Sequence, residues 1–323
     1  MPEEATNVCD EVRAACAWVA GRARSVSIDG AAIEAYAATL PASLEKPEPD
    51  PATQIAGGDL ELRAAFVICL DAINFGSGWW PTIRKRPGHS GYFTIAAGVT
   101  ERFHRRGPWS AAELTEISAA EVARVVGQDP EHPLMAGYAA SLRDVGRRVV
   151  AEHGGRFAAV VEAAGGTAPA LADLLSEWEA FADVSTYEER PVPFFKRAQL
   201  VPADLNRTGA VALGEERQLT AFADNLVPHV LRVDDILRLD PTLTRAIDAG
   251  ELLEHGSPQE VELRACAVQA VELLAAAHGS SSGAESSPSD GLSPAEVDYV
   301  LWTRGQQPRY KAIPRPRSRN TAY

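Results

Sequence analysis

Ser257-Pro258-Gln259-Glu260-Val261-Glu262-Leu263-Arg264 reads as the opening of a long helix. The serine hydroxyl can accept an amide of the first turn. Proline suits the first helical position, where its missing N–H has no partner in any case. A glutamate at the third position can reach back to the exposed amides. The apolar residues that follow predict a helix to about His278. Ser293-Pro294-Ala295-Glu296 repeats the grammar and opens a last helix holding Asp298 and Trp302. Ser110 with Glu113 and Ser118 with Glu121 are two further capping boxes. Working outward, residues 5–24 are amphipathic, with Val8, Val12, Ala15, Cys16 and Val19 on one face, and Ser27 to Leu40 reads as a second helix. Pro41 to Ala56 is a proline-rich connection. Leu60 to Ile73, 90–106, 134–153 and 155–181 continue the helical pattern. Gly279 to Gly291 is Ser/Gly-rich and predicts a flexible loop. Runs of alternating polarity and fixed-period repeats are missing, so the expected class is mainly α, with residues 1–323 as a single domain.

Composition narrows the function. The 323 residues are 46% apolar and 23% charged, which are globular values. No apolar run reaches the ~20 residues that span a bilayer. The acidic start Met1-Pro2-Glu3-Glu4, with Arg22 and Arg24 after the first apolar run, reverses the charge order of a secretory signal. Cys9, Cys16, Cys69 and Cys266 contain no CxxC pair, and the seven histidines form no HxxxH or HxH. These features predict reduced core thiols, a cytoplasmic location, no membrane contact and no metal. Net charge is −13, which argues against a stable nucleic-acid partner. The distribution is uneven. Arg304, Arg309, Lys311, Arg315, Arg317 and Arg319 face no acid after residue 303, so the rest of the chain carries −19. A solvated tail is the commoner fate of such an end, and an anion site folded back onto the body is the other. Ile313-Pro314 and Tyr323 point to docking.

Five groups of residues invite a ligand. In Pro193-Phe194-Phe195-Lys196-Arg197-Ala198-Gln199, two aromatics abut two cations. The segment suits a planar ring carrying a phosphate, or is a surface turn with solvated charges. Asn74-Phe75-Gly76-Ser77-Gly78-Trp79-Trp80 offers a cradle for a flat base, or a helix end with two packed tryptophans. Phe222-Ala223-Asp224-Asn225 sets an acid inside an apolar run. There it reads the amide-plus-amine edge of a guanine-like ring, or caps a helix through Leu226. Glu260 and Arg264, four apart, suit a salt bridge along one helix face. Asp298 and Trp302, also four apart, put an acid beside an indole, either structural or catalytic.

These segments are similar to the queuosine salvage family, the queuosine 5′-phosphate N-glycosylase/hydrolases. The resemblance runs through Ile73-Asn74-Phe75, Ser90-Gly91-Tyr92, the region from Gly154-Gly155 to Phe181, Asp183-Val184 and Phe195-Lys196-Arg197-Ala198-Gln199. It continues through Phe222-Ala223-Asp224 with Pro228, Glu260-Val261-Glu262-Leu263-Arg264, Asp298-Tyr299-Val300-Leu301-Trp302 and Ile313-Pro314. It covers about residues 60–323; residues 1–60 match weakly. It implies a single helical domain reminiscent of DNA glycosylases. It also implies hydrolysis of queuosine 5′-monophosphate to queuine, a 7-deazaguanine, and ribose 5-phosphate, without a cofactor. By the same resemblance Asp298 is the catalytic carboxylate, and Phe222 and Asp224 contact the base. Eukaryotic members add a His-containing segment near the N-terminus. Leu40 to Gln54 holds no histidine, so that contact is unassigned here.

The expected substrate-binding set is therefore Phe222, Asp224, Lys196, Arg197, Asn74, Trp79, Trp80, Tyr92, Arg264 and Trp302. Two other classes share part of this pattern. A DNA or RNA base glycosylase needs a basic duplex-facing surface, and only the C-terminal cations suggest one. A non-catalytic binder of modified bases keeps Phe222 and Asp224 and has no use for Asp298.

Overall fold

A computed structural model describes residues 7–45, 48–280 and 291–323. Among them the chain is mainly α, with fifteen α-helices and two two-stranded antiparallel sheets. Two compact units emerge, each drawn from three separated segments. One comprises Met1–Glu45, Asp183–Lys196 and Arg217–Arg319; the other comprises Lys46–Ala182, Arg197–Glu216 and Asn320–Tyr323. No single cut of the chain releases either unit whole.

The first unit is organised by the helix Pro258–Ser280. Its buried residues, among them Val261, Leu263, Cys266, Val268, Val271 and Leu274, lie on every side, as befits a helix enclosed by others. It packs against Val8–Ala20, Ile33–Ala37, Leu226–Val233 and Pro294–Arg304. The start signal works nearly as read: Ser257 Oγ accepts the Glu260 amide at 3.4 Å, while the Glu260 carboxylate reaches one residue further back, to the Gly256 amide at 3.0 Å. The fully buried Glu262 accepts the amides of Arg24, Ser25 and Val26 at 3.0, 2.6 and 3.2 Å and the Tyr187 hydroxyl at 2.8 Å. Four donors offset the burial of its charge.

That staple corrects one expectation. Ser27 to Leu40 is not a helix: Val26–Ile28 is a strand paired antiparallel with Leu237–Leu239, and only Ile33–Ala37 is helical. Asp29 turns the chain between them by accepting the Ala31 amide at 3.2 Å. The second sheet, Val184–Tyr187 with Arg190–Pro193, was also unexpected. Of the expected flexible loop, Gly279 and Ser280 continue the long helix, Gly291 and Leu292 precede the cap of the next, and residues 281–290 lie outside the described residues.

The second unit is built on Leu60–Ala72, Gly91–Arg106 and Pro133–His153. The capping boxes at Ser110 and Ser118 are both reciprocal. Gly146 lets Pro133–His153 approach the helix Ala111–Thr115; an added Cβ would lie 2.7 Å from the Ala111 carbonyl and the Thr115 amide. Residues 155–181 do not form one helix. They divide into Phe157–Ala163, Ala168–Ser176 and the 3₁₀ turn Glu179–Phe181, broken at Gly165 and Gly166, whose φ values are 64° and 91°. Phe157–Ala163 has no side-chain cap of its own, and Glu61 supplies one to the amides of Phe157 and Ala158 at 2.9 and 2.7 Å.

The basic C-terminal stretch is folded rather than a solvated tail. In the first unit Arg304 donates to the Thr39 carbonyl, Arg309 pairs with Asp234 and Arg317 donates to the Gly250 carbonyl, each at 2.8 Å. In the second, Asn320 Oδ1 accepts the amides of Ala322 and Tyr323, and the Tyr323 carbonyl accepts the Gly76 amide at 2.9 Å.

Candidate active site

The first unit gathers six of the predicted residues: Lys196, Phe222, Asp224, Arg264, Asp298 and Trp302. Their frame is a residue that sequence reading left without a role, Asp183. Its backbone carbonyl accepts the amides of Phe194 and Phe195 at 2.9 and 3.4 Å, and its Oδ2 accepts the Lys196 amide at 3.2 Å. This folds Phe194–Lys196 back over Asp183 and holds Phe195 at φ 48°, where a bulky residue is strained. Arg264 then closes on both Asp183 oxygens, Nη1 at 2.9 Å and Nη2 at 2.7 Å, with both side chains 1% exposed. Its Nε donates to the Ala223 carbonyl at 3.0 Å, and the guanidinium lies 3.8 Å above the Phe194 ring centroid. One buried ion pair thus links the segment that carries Lys196 to the segment that carries Phe222 and Asp224. Glu260, the partner suggested by spacing, does pair with Arg264, at 4.0 Å and thus more loosely than Asp183.

Asp224 has two jobs on its two oxygens. Oδ1 accepts the Leu226 amide at 2.6 Å, bracing the first residue of the helix Leu226–Val233 from just before its N-cap Asn225. Oδ2 faces the Lys196 ammonium at 3.9 Å, and the lysine side chain is only 7% exposed. The chain before Asp224 runs through Phe222, which is buried and donates its amide to Asp298 Oδ1 at 2.9 Å. Asp298 sits buried on Pro294–Arg304, a helix started by the expected Ser293–Glu296 capping box. One turn further on, Trp302 is half-buried and stacked with Tyr299, their centroids 6.3 Å apart and their planes 22° apart. The unit therefore places a buried carboxylate against the backbone of an aromatic residue, with a second carboxylate two residues further along that strand of chain and a cation beside it.

The other predicted residues, Asn74, Trp79, Trp80, Tyr92 and Arg197, belong to the second unit. Arg197 is not a surface cation. It is 2% exposed, and its donors go to the carbonyls of Ala72, Thr321 and Ala322, the last two at 2.6 and 2.9 Å. Its guanidinium also lies 4.9 Å from the Phe75 ring centroid. Backbone carbonyl dipoles meet this arginine at three points. Asn74 follows the end of Leu60–Ala72, with its amide on the Asp71 carbonyl at 3.1 Å and its Nδ2 on Asp71 Oδ1 at 3.4 Å. Trp79, Trp80 and Tyr92 are half-buried. The Trp80 ring covers Gly91 so closely that a Cβ there has no room. Tyr92 packs edge-on to Phe93 at 5.3 Å.

Comparison with known proteins follows the same residues. A family described as queuosine salvage protein matches residues 55–323. The chain is 34% identical over 272 residues to a queuosine 5′-phosphate N-glycosylase/hydrolase of Sphaerobacter thermophilus, covering 81% of this chain and 82% of the relative. It is 28% identical over 287 residues to the Bos taurus protein of the same name, covering 81% and 83%. With the Dictyostelium discoideum protein of that name it shares 26% identity over 269 residues, covering 81% and 79%.

Proposed function

Since this chain belongs to the queuosine salvage protein family, we propose that it hydrolyses the N-glycosidic bond of queuosine 5′-monophosphate. The products are queuine and ribose 5-phosphate: water gives its hydroxyl to the anomeric carbon and its proton to the departing base. The observation that carries this reading is Asp298, a buried carboxylate held by the Phe222 amide at 2.9 Å. As the bond breaks, positive charge grows on the sugar. A fixed carboxylate in a dry site stabilises that charge, or captures the carbon until water arrives. A 7-deazaguanine has no ring nitrogen at position 7 to protonate, so the carboxylate and the contacts to the base edge bear more of the load.

The same arrangement supplies the rest of the reading. In this reading Phe222 stacks on the base, a contact worth ~1–3 kcal/mol. Asp224 Oδ2 reads the guanine-like edge while Oδ1 stays on the Leu226 amide. Arg264, expected among the binding residues, acts through Asp183 instead, by holding Lys196 and Ala223 in place. The proposed setting is the cytoplasm, with a free nucleotide as substrate and no stable nucleic-acid partner. No helix among the described residues is long and apolar enough to cross a membrane.

The test is incubation with queuosine 5′-monophosphate, the unphosphorylated nucleoside and a damaged DNA duplex, each followed by chromatography. Queuine release from the monophosphate is expected. Asp298→Asn should lower that rate ~10²-fold or more, because an amide cannot stabilise a cation. Release from the duplex alone, or an Asp298→Asn rate within a few-fold of the parent, would refute the reading.

A further inference from the structure

The six cations after residue 303 have very different surroundings. Arg304, Arg309 and Arg317 each have a protein acceptor at 2.8 Å, while Lys311 and Arg319 are exposed. Arg315 fits neither group. It is half-buried, and among the described residues its guanidinium has no hydrogen bond or ion pair. The backbone that carries it is clamped on both sides. Arg232 donates to the Pro314 carbonyl at 3.2 Å, Pro316 is buried, and the Arg317 carbonyl accepts the Leu253 amide at 2.8 Å. The two prolines fix their own φ angles as well. A half-buried cation with no protein acceptor, mounted on a fixed segment, is a ready contact for an anion.

Its segment is tied to the helix Leu226–Val233 that follows Asp224: Arg232 of that helix holds the Pro314 carbonyl and His229 meets the Tyr310 carbonyl. Burial works against the Arg315 charge, Asp224 supports it and Arg317 opposes it. Asp224 therefore has Lys196 at 3.9 Å and Arg315 within electrostatic reach, giving two cations around one carboxylate in a chain of net charge −13. His229, one turn into the helix that follows Asp224, is 1% exposed. Its Nε2 meets the Tyr310 carbonyl at 2.9 Å, its Nδ1 has no partner, and Arg315 is among the charges acting on it.

We propose that Arg315 is the contact for the 5′-phosphate of the substrate, with the Lys196 ammonium beside Asp224 as a further positive charge. This rests on the nucleotide reading above and assigns the part of the site that selects a phosphate monoester over a neutral nucleoside. A planar guanidinium on a fixed backbone suits two oxygens of one phosphate, and it can align the sugar for attack without touching the bond that breaks.

The experiment measures kcat/KM for the monophosphate and for the nucleoside, and titrates inorganic phosphate against the melting temperature, in the parent protein and Arg315→Ala. The preference for the monophosphate should fall about 10- to 100-fold, the scale of a charge-assisted hydrogen-bonded pair. The phosphate-induced rise in melting temperature should shrink with it. Arg315→Lys, which keeps the charge but not the fork, should show a smaller loss of the same kind and serves if the alanine variant does not fold. An unchanged preference in a folded variant overturns the proposal. If the parent cleaves neither compound, the nucleotide reading fails by itself. The phosphate titration then decides: a stabilisation weaker in Arg315→Ala supports an anion site at Arg315, and equal responses overturn it.

Discussion

Arg264 in one unit and Arg197 in the other are both at most 2% exposed, and they solve the same problem in opposite ways. Arg264 meets the Asp183 carboxylate on both oxygens, so its charge is balanced nearby, and its Nε holds the Ala223 carbonyl. Arg197 meets carbonyl dipoles and keeps its net charge, joining the end of the helix Leu60–Ala72 to residues 321 and 322. The first arrangement depends on charge balance and is suited to orienting other charged groups. The second depends on backbone geometry and is suited to fastening distant stretches of chain. Lys196 and Arg197 are adjacent in sequence, yet only Lys196 faces an acid among the residues assigned to the site.

Removing an acceptor separates the two designs most sharply. Asp183→Ala leaves the buried Arg264 with only the looser Glu260 carboxylate at 4.0 Å and should cost about 3–5 kcal/mol in denaturant unfolding. Asp183→Ala combined with Arg264→Met should recover much of that loss while activity stays low, because Lys196 and Ala223 are no longer held. If the double variant regains turnover along with stability, the pair is structural only. Arg197→Met removes the charge together with the donors and leaves three carbonyls to find water. A smaller cost of about 2–3 kcal/mol is expected. A cost above that of Asp183→Ala would reverse the ranking of the two arrangements.

The smallest expected effect is a pH slope. Burial, with Arg315 and Arg232 adding to it, holds the His229 imidazole below its ordinary pKa, against the opposing pull of the Tyr310 carbonyl. The folded protein then binds fewer protons than the unfolded chain below about pH 6.5, so stability should fall as pH drops through that range. His229→Gln should flatten the slope between pH 7 and 5. An identical slope in the variant assigns it to other groups.

What the sequence disclosed followed the range of the interactions. The starts at Ser110, Ser118 and Ser293 were legible because a capping box is closed within four residues. Val26–Ile28 was not, because a three-residue strand has no periodicity and its partner lies near residue 238. Asp298, Phe222 and Asp224 were readable as residue types in an odd setting and through the family resemblance. The carbonyl contacts of Arg197 were not legible, because no side-chain pattern announces backbone acceptors. Asp183 was legible only as part of the family resemblance and without a role, since its partner lies 81 residues away.

The division of the chain also bears on the order of synthesis. Residues up to 45 belong with residues 217–319, and residues 46–216, apart from 183–196, belong with residues 320–323. On a ribosome, neither unit can be completed before the other is mostly made, and Arg197 waits more than a hundred residues for two of its three acceptors. Such long closures slow folding and leave apolar faces of nascent helices uncovered meanwhile. The nascent chain is therefore expected to mature after translation rather than domain by domain, and to depend on chaperones more than its helical content suggests.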